Sequence, residues 1–463
     1  MCHHGSCSPG AGRITMETPI CDFVRKYSRE NILRLHMPGH KGHTFVGMES
    51  LDITEIDGAD SLYEANGIIA RSEANASQLF GCKTLYSTEG SSQCIRAILY
   101  LVQLYARQTG RRCRIAAGRN AHKAFLTAAA LLDLDVDWLC PEVNHGYLSC
   151  DLRAEDIAAY LEKTSEKPAA VYLTNPDYLG NLVDISSIAE VCHQHGVLLA
   201  VDNAHGAYLK FLPRSLHPMD LGADICCDSA HKTLPVLTGG AYLHISENFP
   251  EEIPLQAKNA MAIFGSTSPS YLILQSLDRA NDYLESYGEQ LAAFLEQVDA
   301  LKSTLRKSGY SFYGKEPLKL TVAAKAYGYN GTALAEHLSR KGLIPEFADA
   351  DYMVLMVTPE TGREGLKRME AALLEIPKRA AVANDAPPLR PGVQAMSIRD
   401  AMLSPSEVIP VSESLGRILA VPTVGCPPAV PIAVCGERIN SHALHCFEYY
   451  GIRECCVVKG ASL

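Results

Sequence analysis

Six short apolar runs, at 113–117, 136–139, 169–174, 197–201, 223–227 and 241–245, recur in one stretch of the chain, each bounded by Gly, Pro, Asn or Asp. Helix-like segments such as 152–161 and 185–193 separate several of them. Strands this short and this uniformly apolar must be covered on both faces. An intervening helix is also the connection that lets successive strands run parallel. The pattern therefore predicts an α/β fold, a mostly parallel sheet wrapped by helices. A further strand at 84–87 precedes an amphipathic helix predicted over 91–107, on which Ile95, Ile98, Leu99, Val102 and Tyr105 recur at helical spacing.

The organisation changes toward residue 300. Residues 271–305 read as one or two long helices carrying Leu272, Leu274, Leu277, Leu284, Leu291 and Leu295. Strands are predicted at 318–323 and 352–357, a helix at 364–374, and a linker or ordered turn at 384–392 around Pro387, Pro388 and Pro391. The expected division is an N-terminal arm over 1–45, a large α/β unit over 46–300 and a smaller α+β unit over 301–463.

At 463 residues with 47% hydrophobic and 20% charged residues, the chain can bury a large core, which excludes a disordered or collagen-like protein. The net charge of -10 argues against nucleic acid as a partner. Sixteen cysteines are scattered from Cys2 to Cys456 with no C-x-x-C pair. With no apolar signal segment and no long apolar run, they are expected to be reduced thiols in a cytoplasmic protein that does not enter a membrane. Cys2-His3-His4 with Cys7, and His36, His40 and His43, offer metal-ligand residue types. Pro38 and Gly39 break the helix that would align the latter set, so no metal is expected.

In an open α/β sheet, ligands bind beyond the carboxyl ends of the strands. Ser87-Thr88-Glu89-Gly90-Ser91-Ser92 follows the 84–87 strand and opens a helix; it could seat a phosphate, or Ser91 could simply serve the helix start. Gly118-Arg119-Asn120-Ala121-His122-Lys123 places His122 at the sheet mouth, where it could stack on a flat ring, move a proton or sit on the surface. Asp202-Asn203-Ala204-His205-Gly206 puts a carboxylate at the end of a buried strand, fit for a protonated heterocycle nitrogen or for a cap or salt bridge. Asp228-Ser229-Ala230-His231-Lys232-Thr233 puts a lysine just past another strand, either a Schiff-base lysine or a surface one. Together, a phosphate-seating helix start, a stacking His, a strand-end Asp and a strand-end Lys describe a pyridoxal phosphate site.

At these motifs the sequence resembles the Orn/Lys/Arg decarboxylase family, the bacterial basic-amino-acid decarboxylases of the aspartate-aminotransferase fold (pyridoxal phosphate fold type I). The likeness begins at Leu35-His36-Met37-Pro38-Gly39-His40-Lys41-Gly42 and runs through Asp52-Ile53-Thr54-Glu55 and Gly58-Ala59-Asp60-Ser61-Leu62. It is most specific at Arg119-Asn120-Ala121-His122-Lys123, Thr174-Asn175-Pro176, Asp202-Asn203-Ala204-His205-Gly206-Ala207 and Ser229-Ala230-His231-Lys232-Thr233-Leu234. It ends at Pro427-Pro428-Ala429-Val430-Pro431 and Gly436-Glu437-Arg438-Ile439.

The resemblance implies a seven-stranded sheet and pyridoxal 5'-phosphate as cofactor. Lys232 is implied as the lysine that links to it, Asp202 as the partner of the ring nitrogen and His122 as the stacking ring. Gly90, Ser91, Ser92, Ser229 and His231 are implied around the phosphate, with His205 matching the D-x-A-H form of the shorter members, which lack a receiver-like wing domain. The implied reaction is α-decarboxylation of arginine, lysine or ornithine to agmatine, cadaverine or putrescine with release of carbon dioxide, in a homodimer at least. His231 or Lys232 would return a proton to the α-carbon, and Glu437 is the candidate reader of the substrate's distal cation. The alternative is an aminotransferase or another lyase of the same fold. Departures from the family pattern stand at Ser61, Asp177, Asn203, Ala429, Cys426 and Cys435.

Overall fold

The computed structural model describes residues 16–141, 146–250, 252–422 and 428–460. The predicted apolar runs form β1 Lys83–Ser87, β2 Arg114–Gly118, β3 Asp135–Leu139, β4 Ala170–Thr174, β5 Leu198–Asp202, β6 Ile225–Asp228 and β7 Ala241–Ile245. They make one sheet in the order β1-β7-β6-β5-β4-β2-β3. Neighbours from β3 through β6 are parallel, whereas β7 runs antiparallel to both β6 and β1. The carboxyl ends of β1, β2, β4, β5 and β6 therefore share one edge, which the chain entering β7 also reaches.

Alternation along β5 shows why the runs look uniformly apolar. Leu198 and Ala200 enter the core on one face, while Leu199 and Val201 enter the core on the other. The first face is covered by helices Ser91–Gln108, Lys123–Leu132 and Ala257–Ile263, and the second by Ala154–Lys163 and Ile185–Gln194. Each buried Leu, Ile or Val side chain contributes roughly 1.5–3 kcal/mol.

The 271–305 stretch is two helices, Tyr271–Leu284 and Tyr287–Lys307. Helix Pro19–Arg29 buries Ile20 and Val24 in the same core and donates the Cys21 N–H to Asp278 Oδ2 at 2.9 Å. The Pro19–Arg29 part of the expected arm is thus packed structure.

The segment after residue 300 divides into two. Strands β8 Phe312–Tyr313, β9 Lys319–Ala323, β10 Phe347–Ala348 and β11 Tyr352–Met356 form an antiparallel sheet in the order β10-β11-β9-β8. Further on, β12 Ser406–Pro410 pairs with β13 Glu454–Val458. This last part does not stay with the four-stranded sheet: Ile398, Ala401, Ile418, Ala420, Val434 and Val458 join the core around helix Ser91–Gln108. Where one smaller unit was expected, the chain returns to the large one, because those apolar side chains cover the outer helices. Among the described residues, no helix is long and apolar enough to cross a membrane.

Candidate active site

The carboxyl edge of the seven-stranded sheet holds a cavity of about 160 Å³. At β1 the chain turns through Gly90 into helix Ser91–Gln108. Gly90 has φ +72° and ψ 176°, a region essentially confined to glycine that costs a residue with a side chain about 1–3 kcal/mol. A Cβ there would stand 4.0 Å from the Ser92 amide nitrogen, over the helix start. No side chain caps this end, and Gly90, Ser91 and Ser92 all line the cavity. Ser229 Oγ donates to Ser91 Oγ at 2.8 Å, bringing a hydroxyl from the end of β6 to the same place. Uncapped amides, three hydroxyls and the positive end of a long helix fit a phosphate.

Asp202 ends β5 and is 2% exposed. Its Oδ1 accepts from the Ala204 N–H at 3.2 Å and its Oδ2 from the Tyr172 hydroxyl at 3.3 Å. Burial raises its pKa, and the nearby Lys232 amine and these donors draw it back. A carboxylate so placed gains most from a cationic partner inside the cavity.

His122 follows β2 and caps helix Lys123–Leu132, accepting the Ala124 N–H at Nδ1 at 3.1 Å. Burial, with Lys232, Lys123 and Arg96 nearby, pushes its pKa down to about 3. The ring that faces the cavity is neutral. Lys232 lies in the short helix Ala230–Thr233 after β6. Burial lowers its pKa, with Asp202 opposing and Lys319 adding to the effect. His231 holds the Gly240 carbonyl from Nδ1 at 3.0 Å, leaving Nε2 as its unprotonated nitrogen. His205 Nε2 stands 3.0 Å from Lys232 Nζ. Gly90, Ser91, Ser92, His122, Asp202, His205, Ser229, His231 and Lys232 thus line a single cavity. An aromatic ring with a basic nitrogen, a phosphate and an aldehyde fits the donors and acceptors present.

Sequence reasoning missed other parts of the site. Asn120, Thr174 and Tyr178 also line it; the first two stand in motifs singled out above, and Tyr178 follows the departure at Asp177. Beneath the strand ends, Asp228 Oδ2 meets His217 Nε2 and His244 Nε2, each at 3.1 Å, and Oδ1 accepts from Asn203 Nδ2 at 2.6 Å. Burial would raise the Asp228 pKa, but the two imidazoles outweigh it and hold the carboxyl below the ordinary range. These side chains come from separate stretches between Asn203 and His244 and are fully buried. The cluster anchors the residues beside Asp202 and Ser229.

Glu437 does not enter the cavity. Its carboxylate meets Arg119 Nη2 at 3.0 Å, with the two side chains 3% and 2% exposed, and also accepts the Val434 N–H at 3.0 Å. It ties the returning C-terminal segment to the end of β2 and is not available to a ligand. His36 and His40 bind Tyr27 and Asp52 respectively, and among the described residues they are not gathered with His43 into a set of metal-ligand atoms.

The departures have separate accounts. Asp177 closes its own loop by accepting the Leu179 and Asn181 N–H groups, each at 2.9 Å. Asn203 belongs to the Asp228 cluster, and Cys435 is core. Ala429 has φ +57° and offers its carbonyl to the Lys123 N–H at 2.9 Å; glycine would hold that conformation without strain. Ser61 is partly exposed, while Asp60 beside it accepts four amides at the start of helix Ile68–Phe80. Cys426, and Cys2-His3-His4 with Cys7, lie outside the described residues.

Residues 18–312 match the family described as "Orn/Lys/Arg decarboxylase, major domain". The chain is 29% identical over 471 residues to the uncharacterized protein YaaO of Bacillus subtilis (strain 168), covering 93% of each. It is 29% identical over 464 residues to an arginine decarboxylase of the same organism, covering 92% of this chain and 91% of that one. Its fold is that of the Francisella novicida lysine decarboxylase LdcF, with a TM-score of 0.77 at 16% identity, covering 96% of this chain and 81% of that one.

Proposed function

The chain belongs to the Orn/Lys/Arg decarboxylase family, and on that premise we propose that it decarboxylates arginine, releasing carbon dioxide and agmatine. It is a pyridoxal phosphate-dependent amino-acid decarboxylase of fold type I. The observation that carries the reading is the gathering of Lys232, Asp202 and His122 in one cavity next to an uncapped helix start. Arginine is preferred over lysine and ornithine because relatives spanning over nine-tenths of the chain are named arginine decarboxylases.

When bound, pyridoxal 5'-phosphate supplies a cationic ring that accepts the electron pair freed as the carboxylate leaves. Lys232 would hold it covalently through Nζ, and Asp202 would keep the proton on its ring nitrogen. His122 would lie against the ring as a neutral imidazole. The first turn of helix Ser91–Gln108 would bind the phosphate with Ser91, Ser92, Ser229 and His231. Lys232 Nζ, or His231 Nε2 once it has itself taken up a proton, would carry a proton to the α-carbon.

For the distal cation we assign Glu346 in place of Glu437. Tyr178, which lines the cavity, donates to Glu346 Oε1 at 3.0 Å, and the Glu346 charge acts on both His231 and Lys232. A carboxylate whose charge is felt at the reacting amine suits an amino acid with a long cationic side chain.

We also propose a homodimer acting in the cytoplasm in polyamine biosynthesis. Leu33, Leu35, Phe45 and Val46 are 80%, 84%, 78% and 89% exposed around the H-x-P-G-H segment, which supports a partner on that face. The described cysteines are free thiols and most are buried, which supports a reducing compartment. Purified protein loaded with cofactor and given arginine, lysine or ornithine should release carbon dioxide fastest from arginine without forming a keto acid. Keto-acid formation would identify an aminotransferase instead.

A further inference from the structure

A line of buried polar groups runs from Lys232 into the four-stranded sheet. His205 Nε2 is 3.0 Å from Lys232 Nζ, and His205 Nδ1 is 3.4 Å from Lys319 Nζ. Lys319, on β9, is 1% exposed and ion-paired with Glu316 Oε2 at 2.8 Å. Glu316 in turn accepts the Tyr208 hydroxyl at 2.9 Å, and Lys319 also reaches the Asp177 carbonyl at 3.4 Å.

Counting hydrogens along this line decides their placement. An ammonium only donates, and a neutral imidazole carries one N–H and one lone pair. The Lys319 ammonium, ion-paired with Glu316, takes the lone pair on His205 Nδ1. The ring hydrogen therefore sits on Nε2 and points at Lys232, whose nitrogen must accept it. An ammonium at Lys232 would require His205 to accept at both nitrogens, leaving the ring without a hydrogen. A cationic His205 would stand between two lysines in a buried site, and its pKa is accordingly held well below the ordinary value.

We infer that Lys319 is a positioning residue, acting through His205 to present Lys232 as a neutral, aimed amine. The inference rests on the reading of Lys232 as the cofactor-linking residue. The one lone pair of the neutral Nζ, once His205 Nε2–H releases it, is what must add to a carbonyl carbon; the two amine hydrogens then leave with the carbonyl oxygen as water, with no oxidant required. Other groups act on Lys232 from their own elements. Asp202, Glu346 and Cys227 favour the ammonium, while Lys319 disfavours it. His205 is also faced by His122 and His231, and Tyr178 meets its ring edge-on at a centroid distance of 5.1 Å.

The test is competitive labelling of the full chain with acetic anhydride before cofactor is added, reading Lys232 by peptide mapping across pH. Wild type should label at lower pH than exposed lysines. Removing Lys319 alone would strand Glu316, so the informative variant is Lys319→Met with Glu316→Gln. In it the Lys232 profile should move up by about one pH unit, an about tenfold loss of labelling at neutral pH. Lys319→Arg should restore the wild-type profile. An unmoved profile in the folded double variant would overturn the inference. Should that variant not fold, ¹⁵N NMR of the His205 ring in wild type decides: hydrogen on Nε2 is expected, and hydrogen on Nδ1 overturns the inference. Borohydride trapping of added cofactor on another lysine would defeat the underlying reading instead, whatever the labelling profile shows.

Discussion

Arg119 and Glu437 lie 318 residues apart in sequence, yet their side chains meet at 3.0 Å with almost no exposure to solvent. Arg119 also donates to the Pro431 and Ile432 carbonyls at 3.4 and 3.0 Å. The pair fastens the returning C-terminal segment against the end of β2, beside the candidate cavity.

Glu437→Ala should therefore act on stability and not on substrate choice. Removing one partner of a buried pair costs about 3–5 kcal/mol because the other charge is left uncompensated. Denaturant melts should show the loss, while the KM for arginine of the folded enzyme stays near wild type.

Asp202→Asn preserves shape and removes the charge that would hold the ring nitrogen's proton. Turnover should fall by roughly 10²–10³-fold, the range for losing one preorganised electrostatic partner. Cofactor should still be trapped on Lys232 by borohydride. Lys232→Ala should abolish the trapping itself.

Glu346→Gln should raise the KM for arginine by roughly 10–150-fold, corresponding to the about 1.5–3 kcal/mol of a hydrogen bond to a charged group. kcat should change far less. Steady-state kinetics with arginine separate the two constants, and an unchanged KM would remove Glu346 from substrate recognition.

Asp177 offers a pH test. Burial pushes its pKa from 3.8 up to about 6, so the folded state holds a proton that the unfolded state releases. Stability from this group is fully present below 3.8 and is lost as pH rises to about 6. Asp177→Asn cannot ionise, so its urea midpoint should gain on wild type through that window and then run parallel to it. Melts at a series of pH values read the difference directly.

The sheet was legible in the sequence because each strand is covered on both faces. Residues 197–201 and the neighbouring runs had to be apolar at nearly every position, and the turns after them had to hold the polar groups. Burial thus wrote both the strands and the site-bearing ends into local composition. The same logic singled out Asp202, a charge at the end of an apolar run that a cap or a salt bridge would explain equally well. Lys232 was legible for a similar reason, as was His122.

What the sequence could not determine depends on which distant segments meet. Glu437 and Glu346 are both glutamates near turns, and nothing local says that one closes on Arg119 while the other faces Tyr178. Lys319 reads as an ordinary lysine opening a strand until β9 brings it to His205. His217, Asp228 and His244 are likewise unrelated in sequence until β6 and β7 pair. Local composition records how deeply a residue is buried, because transfer from water depends on the residue itself. Which charge pairs with which is a matter of through-space geometry, and only the folded chain decided it.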